Sequence, residues 1–431
     1  MINSFIALGL HILIGLFSYF SPQLLSIYIL FFLGYCLFDV IRSANSNGKA
    51  HKYAAYFVGC EVLLRMVEAV TFWEFGKYSV ILILVVGLVV DKSRASSSKL
   101  VYLGFLALVP GIILAPYDSF DIWRKAISSN LSGISCLLIS ILYFYKRKVS
   151  SYELMNTFKF LLLPVLSMLV VIFLRMPSLA NIEFTLSSNF STSGGFGPNQ
   201  VSTIIGFGFC ILVTSKFIEK DIFNRYIDVI FIALLLGFGL LTFSRGGIMT
   251  AVISIIIGFT YKMLFIEKKI KFFLQSIFIA TTFLFVWSYI SDNTSNILDR
   301  RYLSVIDDSG NLNFSNRLTI LSTDISIFYD NYFLGAGVGG SSLLRPMYGF
   351  ISSAAHTEFS RLLADHGLFG LLVNLLIFVF SISRFLSLPK SDEKLLFFIF
   401  TAFSLLTFSH SAIRIAAPTF AFGISLIDRN E

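Results

Sequence analysis

The chain has 431 residues, 56% of them hydrophobic and only 13% charged, with a mean hydropathy of +0.81. A water-soluble domain has nowhere to bury that much apolar surface, and repeated apolar runs of about 17–25 residues match a helix crossing a ~30 Å hydrocarbon core. The formal net charge of +8 does not argue for nucleic acid, because the basic residues sit in short clusters between apolar runs, where topology signals lie.

Taken in order, the chain offers fourteen candidate spans: 4–20, 22–41, 54–71, 78–90, 100–115, 127–145, 157–175, 199–215, 226–243, 248–265, 271–290, 363–383, 395–410 and 412–427. The last two are also compatible with one span plus a re-entrant segment. The short alternating segments of a membrane β-barrel are missing. The expected fold is an all-α polytopic membrane protein of about 12–14 transmembrane helices, a single domain over 1–431. The first apolar run is long, without a basic leader or a small-residue cleavage pattern, and reads as a retained span. Cys36, Cys60, Cys136 and Cys210 all fall inside apolar runs, as small core residues do.

Loops 42–53, 91–99, 146–154, 216–225, 262–271 and 384–394, with the C-terminal tail, hold 20 of the 33 Lys and Arg residues. With every span crossing once they fall on one side, while loop 176–198 on the other side has none. The positive-inside rule then puts both termini in the cytoplasm and turns the one long polar segment, 291–362, outward as a large extracytoplasmic loop.

Four polar patches share that outer side. Thr192–Gln200 is a Gly-Pro turn with Asn199 near a helix start, where an amide caps a helix or binds a ligand. Phe243–Gly247 is a tight turn carrying Arg245. Arginine at a membrane boundary snorkels or finds a partner, and its paired donors suit a phosphate. Next comes Asn316-Arg317 ahead of an amphipathic helix and the turn Gly335–Gly340, which reads as a tight turn and lacks the Gly-Lys-Ser/Thr ending of a nucleotide loop. The last is His356-Thr357-Glu358-Phe359-Ser360-Arg361. His356 stands at a helix start and exchanges protons near neutral pH, and Glu358 and Arg361 share a helix face. A structural histidine fits as well. No His-Glu-x-x-His pair or carboxylate cluster points to a metal. In the third span Glu61, Arg65 and Glu68 fall on one helix face, as an internal salt bridge or a substrate contact.

Gly-Pro-Asn-Gln at 197–200, Ser-Arg-Gly-Gly at 244–247, Asn-Arg at 316–317 before Gly-Ala-Gly-Val-Gly, and His-Thr-Glu-Phe-x-Arg-Leu-Leu-Ala-x-x-Gly at 356–367 occur in this order. Together they resemble the O-antigen ligase and O-antigen polymerase superfamily, over roughly 190–370. The resemblance implies a GT-C-like membrane glycosyltransferase of the bacterial inner membrane, with its site facing the periplasm. The donor it implies is a glycan on undecaprenyl diphosphate, and the acceptor a lipid-linked repeat unit for a polymerase or lipid A–core for a ligase. No nucleotide sugar, metal or other cofactor is expected, and a chain-length regulator is a conceivable partner. By motif, Arg245 and Arg317 would hold the diphosphate and His356 would serve as base or acceptor-orienting group. Glu358 and Arg361 would support them, with Asn199 as a further substrate contact. The competing class is a transporter or flippase for lipid-linked sugars, which the charged residues of the third span keep open.

Overall fold

The computed structural model describes residues 4–70, 72–91, 98–265, 269–303, 317–349 and 355–430. The chain runs α1 (Ser4–Phe20), α2 (Pro22–Arg42), α3 (Lys49–Met66), α4 (Phe75–Val90), α5 (Leu100–Ile113), α6 (Phe120–Phe144), the short strand β1 (Lys148–Ser150) and α7 (Ser151–Arg175). It continues with α8 (Pro198–Phe217), α9 (Arg225–Leu241), α10 (Arg245–Phe265), α11 (Lys269–Asn293), α12 (Ile297–Leu303), α13 (Arg317–Asp330) and α14 (Gly340–Leu344). The last elements are α15 (Glu358–Ser387), α16 (Asp392–His410), α17 (Ala417–Ser425) and β2 (Asp428–Asn430). Among the described residues eight helices are long and apolar enough to cross a membrane, and α1, α4 and α5 are shorter apolar helices. This is an all-α polytopic membrane protein.

Local chemistry starts several of these helices. Ser150 and Glu153 form a reciprocal capping box at α7, the Asn224 side chain accepts from the Ile227 N–H at α9, and Thr357 accepts from the Ser360 N–H at α15. Burial sorts the helices by role. Nearly every residue of α3 and α8 is buried, so these form the centre of the bundle. In contrast α11 exposes Phe273, Leu274, Phe278, Leu284 and Phe285, a surface that only hydrocarbon solvates without cost.

The basic loops gather at one end. Arg147 pairs with Asp91 at 2.6 Å, and Asn45 donates to the same carboxylate. β1 pairs in parallel with β2, Arg384 meets Asp428 at 2.6 Å, and Arg429 meets Asp392 at 3.6 Å. Lys262 joins this end through Asp392 and the Phe217 carbonyl. α3, α8, α10, α15 and α16 each have one terminus here and the other in a polar cluster about a bilayer's thickness away, as ~20 residues at ~1.5 Å per residue require.

Two expectations change in detail. The helix of the third span ends at Met66, and Glu68 lies beyond it with φ +56° and an exposed side chain, so it leaves the face that Glu61 and Arg65 share. In the last segment only Ala417–Ser425 is helical. Residues 411–416 are non-helical, yet the chain still returns to the basic end, where the Lys146 N–H donates to the Leu426 carbonyl.

Candidate functional site at the polar end of the bundle

The site is built around the non-helical stretch 411–416. Irregular backbone inside an apolar bundle must have its N–H and C=O groups satisfied by protein. Here charged side chains do so. Glu61 accepts from the Ala416 N–H at 2.7 Å, and Glu358 accepts from the Ile413 N–H at 3.0 Å. Arg65 donates to the Arg414 carbonyl at 2.8 Å, and Lys77 to the Ile413 carbonyl at 3.4 Å. Each of these four charges is also neutralised in the interior. Arg65 lies 2.6 Å from Glu61 and 3.1 Å from Glu74, Lys77 lies 2.6 Å from Glu74, and Glu358 is paired with Arg361. The partner the sequence suggested, Glu68, is replaced by Glu74 from the next helix.

The first, second and fourth motifs meet around this stretch. Arg65 also donates to the Gln200 side-chain oxygen at 2.9 Å, which ties the start of α8 to the hub. The Ser244 hydroxyl donates to Asn199 at 2.7 Å, joining the α9–α10 turn to the same helix start. Gly246 lies against the His410 ring so closely that a Cβ there would stand 2.7 Å from it, and His410 meets the Thr250 hydroxyl at 3.0 Å. Phe243 holds φ +53°, a strained value for an aromatic residue, and it turns the chain sharply enough to start α10 at Arg245.

Arg301 and Tyr302 on α12 cover that turn, donating to the Phe243 and Ser244 carbonyls at 3.2 and 3.5 Å. Burial raises the Tyr302 pKa, while the nearby Arg301 and Arg245 charges pull it down, so Arg245 stands within electrostatic reach of that hydroxyl. The base of α12 is fixed by Asp299, which accepts from the Trp287 indole at 2.6 Å and from Ser291 at 2.7 Å.

The fourth motif is the first turn of α15. His356 is half-buried just ahead of the cap Thr357. Glu358 and Arg361 do pair, as their spacing predicts, but both are buried and committed to the hub. Two acids to which the sequence assigned no role complete this corner. Asp324 on α13 accepts from Arg345 at 2.6 and 2.9 Å and from the Ser360 hydroxyl at 2.7 Å. Burial pushes the Asp324 carboxyl above its usual range against the pull of Arg345. Asp365 accepts from the Gly339 and Ser341 N–H groups at 3.2 and 3.1 Å.

The glycine turn is thus a packing device. The Ala336 N–H donates to the Ala364 carbonyl and the Val338 N–H to the Gly111 carbonyl, so these groups serve the protein's own backbone. Gly335 and Gly337 have φ +77° and +80° where backbone from α15 and the end of α5 closes in, so a side chain is excluded twice over. Arg317 opens α13, with its side chain outside the described residues, as is all of Asn316.

Asn199, Arg245, His356, Glu358 and Arg361 therefore converge at one end of a multi-pass helical membrane protein. A family model described as O-antigen ligase matches residues 230–375, which hold Arg245, the glycine turn and the His356–Arg361 motif. That match supports the O-antigen ligase and polymerase superfamily, whose members are glycosyl-transferring enzymes acting on lipid-linked glycans in the membrane. No curated protein and no solved structure matches the chain.

Proposed function

We propose that the chain transfers a glycan from undecaprenyl diphosphate to an acceptor sugar hydroxyl on the outer face of the inner membrane, as an O-antigen or exopolysaccharide polymerase or as an O-antigen ligase. The supporting observation is the meeting of the ordered motifs at the end of the bundle opposite the basic loops. With the basic end in the cytoplasm, the site faces the outer side, where the proposed transfer takes place.

In this reading the leaving lipid diphosphate gains negative charge as the glycosidic bond breaks. Arg245 and Arg317 stabilise it in a partly dry setting, where preorganised donors count for most. His356 accepts the proton of the attacking hydroxyl, and in-line attack inverts the anomeric centre. Glu358 and Arg361 hold α15 and the 411–416 stretch in place, and Asn199 contacts the donor. A chain-length regulator is compatible with the polymerase form. Transport of lipid-linked sugars is the weaker reading, because Glu61 and Arg65 are spent on backbone and on each other.

The test uses proteoliposomes with purified undecaprenyl-diphosphate repeat units. A ladder that His356→Ala abolishes identifies a polymerase. Labelled lipid A–core, once that acceptor is supplied, identifies a ligase. No transfer to either, with lipid-linked sugar crossing the bilayer, would replace the proposal with transport.

A further inference from the structure

A narrow cleft lies between the start of α8 and the 411–416 stretch, with Asn199, Gln200, Thr203, Thr407, Ser411 and Arg414 on its walls and no carboxylate among its described lining residues. Its free volume of about 10 Å³ admits an oxygen atom or two and no sugar ring. What fills it must suit the polar groups that line it.

Those groups are arranged as donors. Gln200 gives its side-chain oxygen to Arg65, which only donates, so the amide is oriented with its NH₂ left over. A one-way chain fixes Asn199 in the same sense. The Gly247 N–H donates to the Ser202 hydroxyl, Ser202 donates to Ser244, and Ser244 donates to the Asn199 side-chain oxygen, at 3.1, 3.1 and 2.7 Å. Again the NH₂ is left. The hydroxyls of Thr203, Thr407 and Ser411 spend their protons on backbone carbonyls.

The third group is Arg414. Its carbonyl is held by Arg65, yet among the described residues its half-buried guanidinium meets no hydrogen-bond or ion-pair partner. A cation withdrawn from water without a counter-charge is costly, and the cost is recovered when an anion binds.

We propose that Asn199, Gln200 and Arg414 form an anion subsite that takes a phosphoryl oxygen. The lipid-diphosphate donor as its source rests on the function proposed above. The preference for an oxyanion rests on the donor geometry alone. Arg414 lies outside the matched stretch 230–375, and in the sequence it falls within the apolar run 412–427.

The experiment measures binding of undecaprenyl diphosphate to the purified full chain in nanodiscs, with undecaprenol and inorganic pyrophosphate as competitors. We expect Arg414→Gln to weaken binding at least about tenfold and Arg414→Lys to recover part of it. The thermal midpoint should stay unchanged, because the guanidinium makes no bond to the described protein. Competition by pyrophosphate would assign the subsite to a phosphoryl group with or without a lipid. Competition confined to the lipid form would assign it to the lipid headgroup. Equal binding by Arg414→Gln, equal competition by undecaprenol, or a fall in thermal midpoint shared by both variants would overturn the proposal. Arg414-dependent binding in a wild-type protein that transfers no glycan would leave the subsite standing and remove the function reading.

Discussion

At the residue scale, the polar end separates side chains that hold the protein from those left for a ligand. Asp324 belongs to the first kind. It and Arg345 are both fully buried, so removing either one costs the other its buried ion-pair partner. Asp324→Ala should cost about 3–5 kcal/mol, read as a large drop in thermal midpoint in detergent. Asp324→Leu combined with Arg345→Met should recover most of that loss. A drop equal to the sum of the two single changes would show that the pair is not coupled. The proposed function gives Arg245 the donor diphosphate as a charge partner. Arg245→Ala should lower transfer by two orders of magnitude or more, with membrane insertion and expression retained. Normal transfer would remove the diphosphate clamp.

At the element scale, the two breaks in regular helix carry the site's geometry. Gly367, inside α15, adopts φ +57° and ψ −133°, and a Cβ there would stand 2.6 Å from the Tyr332 carbonyl. Gly367→Ala should therefore cost about 1–3 kcal/mol and loosen the Gly335–Gly340 turn, seen as faster amide exchange at Ala336 and Val338. The other break is 411–416. Glu61→Ala leaves the Ala416 N–H unmet and Arg65 short of one partner, so a cysteine placed at Ala412 should react faster with a thiol reagent than in the parent. An unchanged rate would mean that Glu61 does not hold the segment.

Much of this was legible in the sequence. Apolar runs gave the helices, and the Glu358–Arg361 spacing gave a real pair, because helix periodicity is local. The structure of 411–416 was not legible. Its residues, Ser-Ala-Ile-Arg-Ile-Ala, are as apolar as a span, and what keeps them from helix is a set of bonds to α3, α4 and α15. The roles of Asp324 and Asp365 were hidden for the same reason, since each is an ordinary acid in its own helix and acquires its task only from Arg345 or the glycine turn. Glu68 shows the converse error, where i, i+7 spacing was read through a helix that had already ended.

At the scale of the whole molecule, the bundle is polarised, with ion pairs among the basic loops at one end and the motifs at the other. Cysteines introduced at the exposed Ser46 and Gly349 in a chain without its four buried native cysteines should be labelled from opposite sides of sealed vesicles. Labelling from one side would break the span parity on which the outward-facing site depends. The same polarity explains why α11 tolerates so little burial. It borders the bundle and meets lipid along most of its length.

The hub at 411–416 also has a history in time. Its anchors Glu61, Arg65 and Lys77 precede the backbone they satisfy by 355, 349 and 336 residues. At synthesis rates of roughly 5–20 residues per second, the interval is on the order of 20–70 s. Throughout it the early helices hold a knot of charge inside the membrane with its last partner not yet made. A chain that ends before residue 411 keeps the Glu61–Arg65 pair but leaves both side chains without the backbone groups they satisfy in the finished fold.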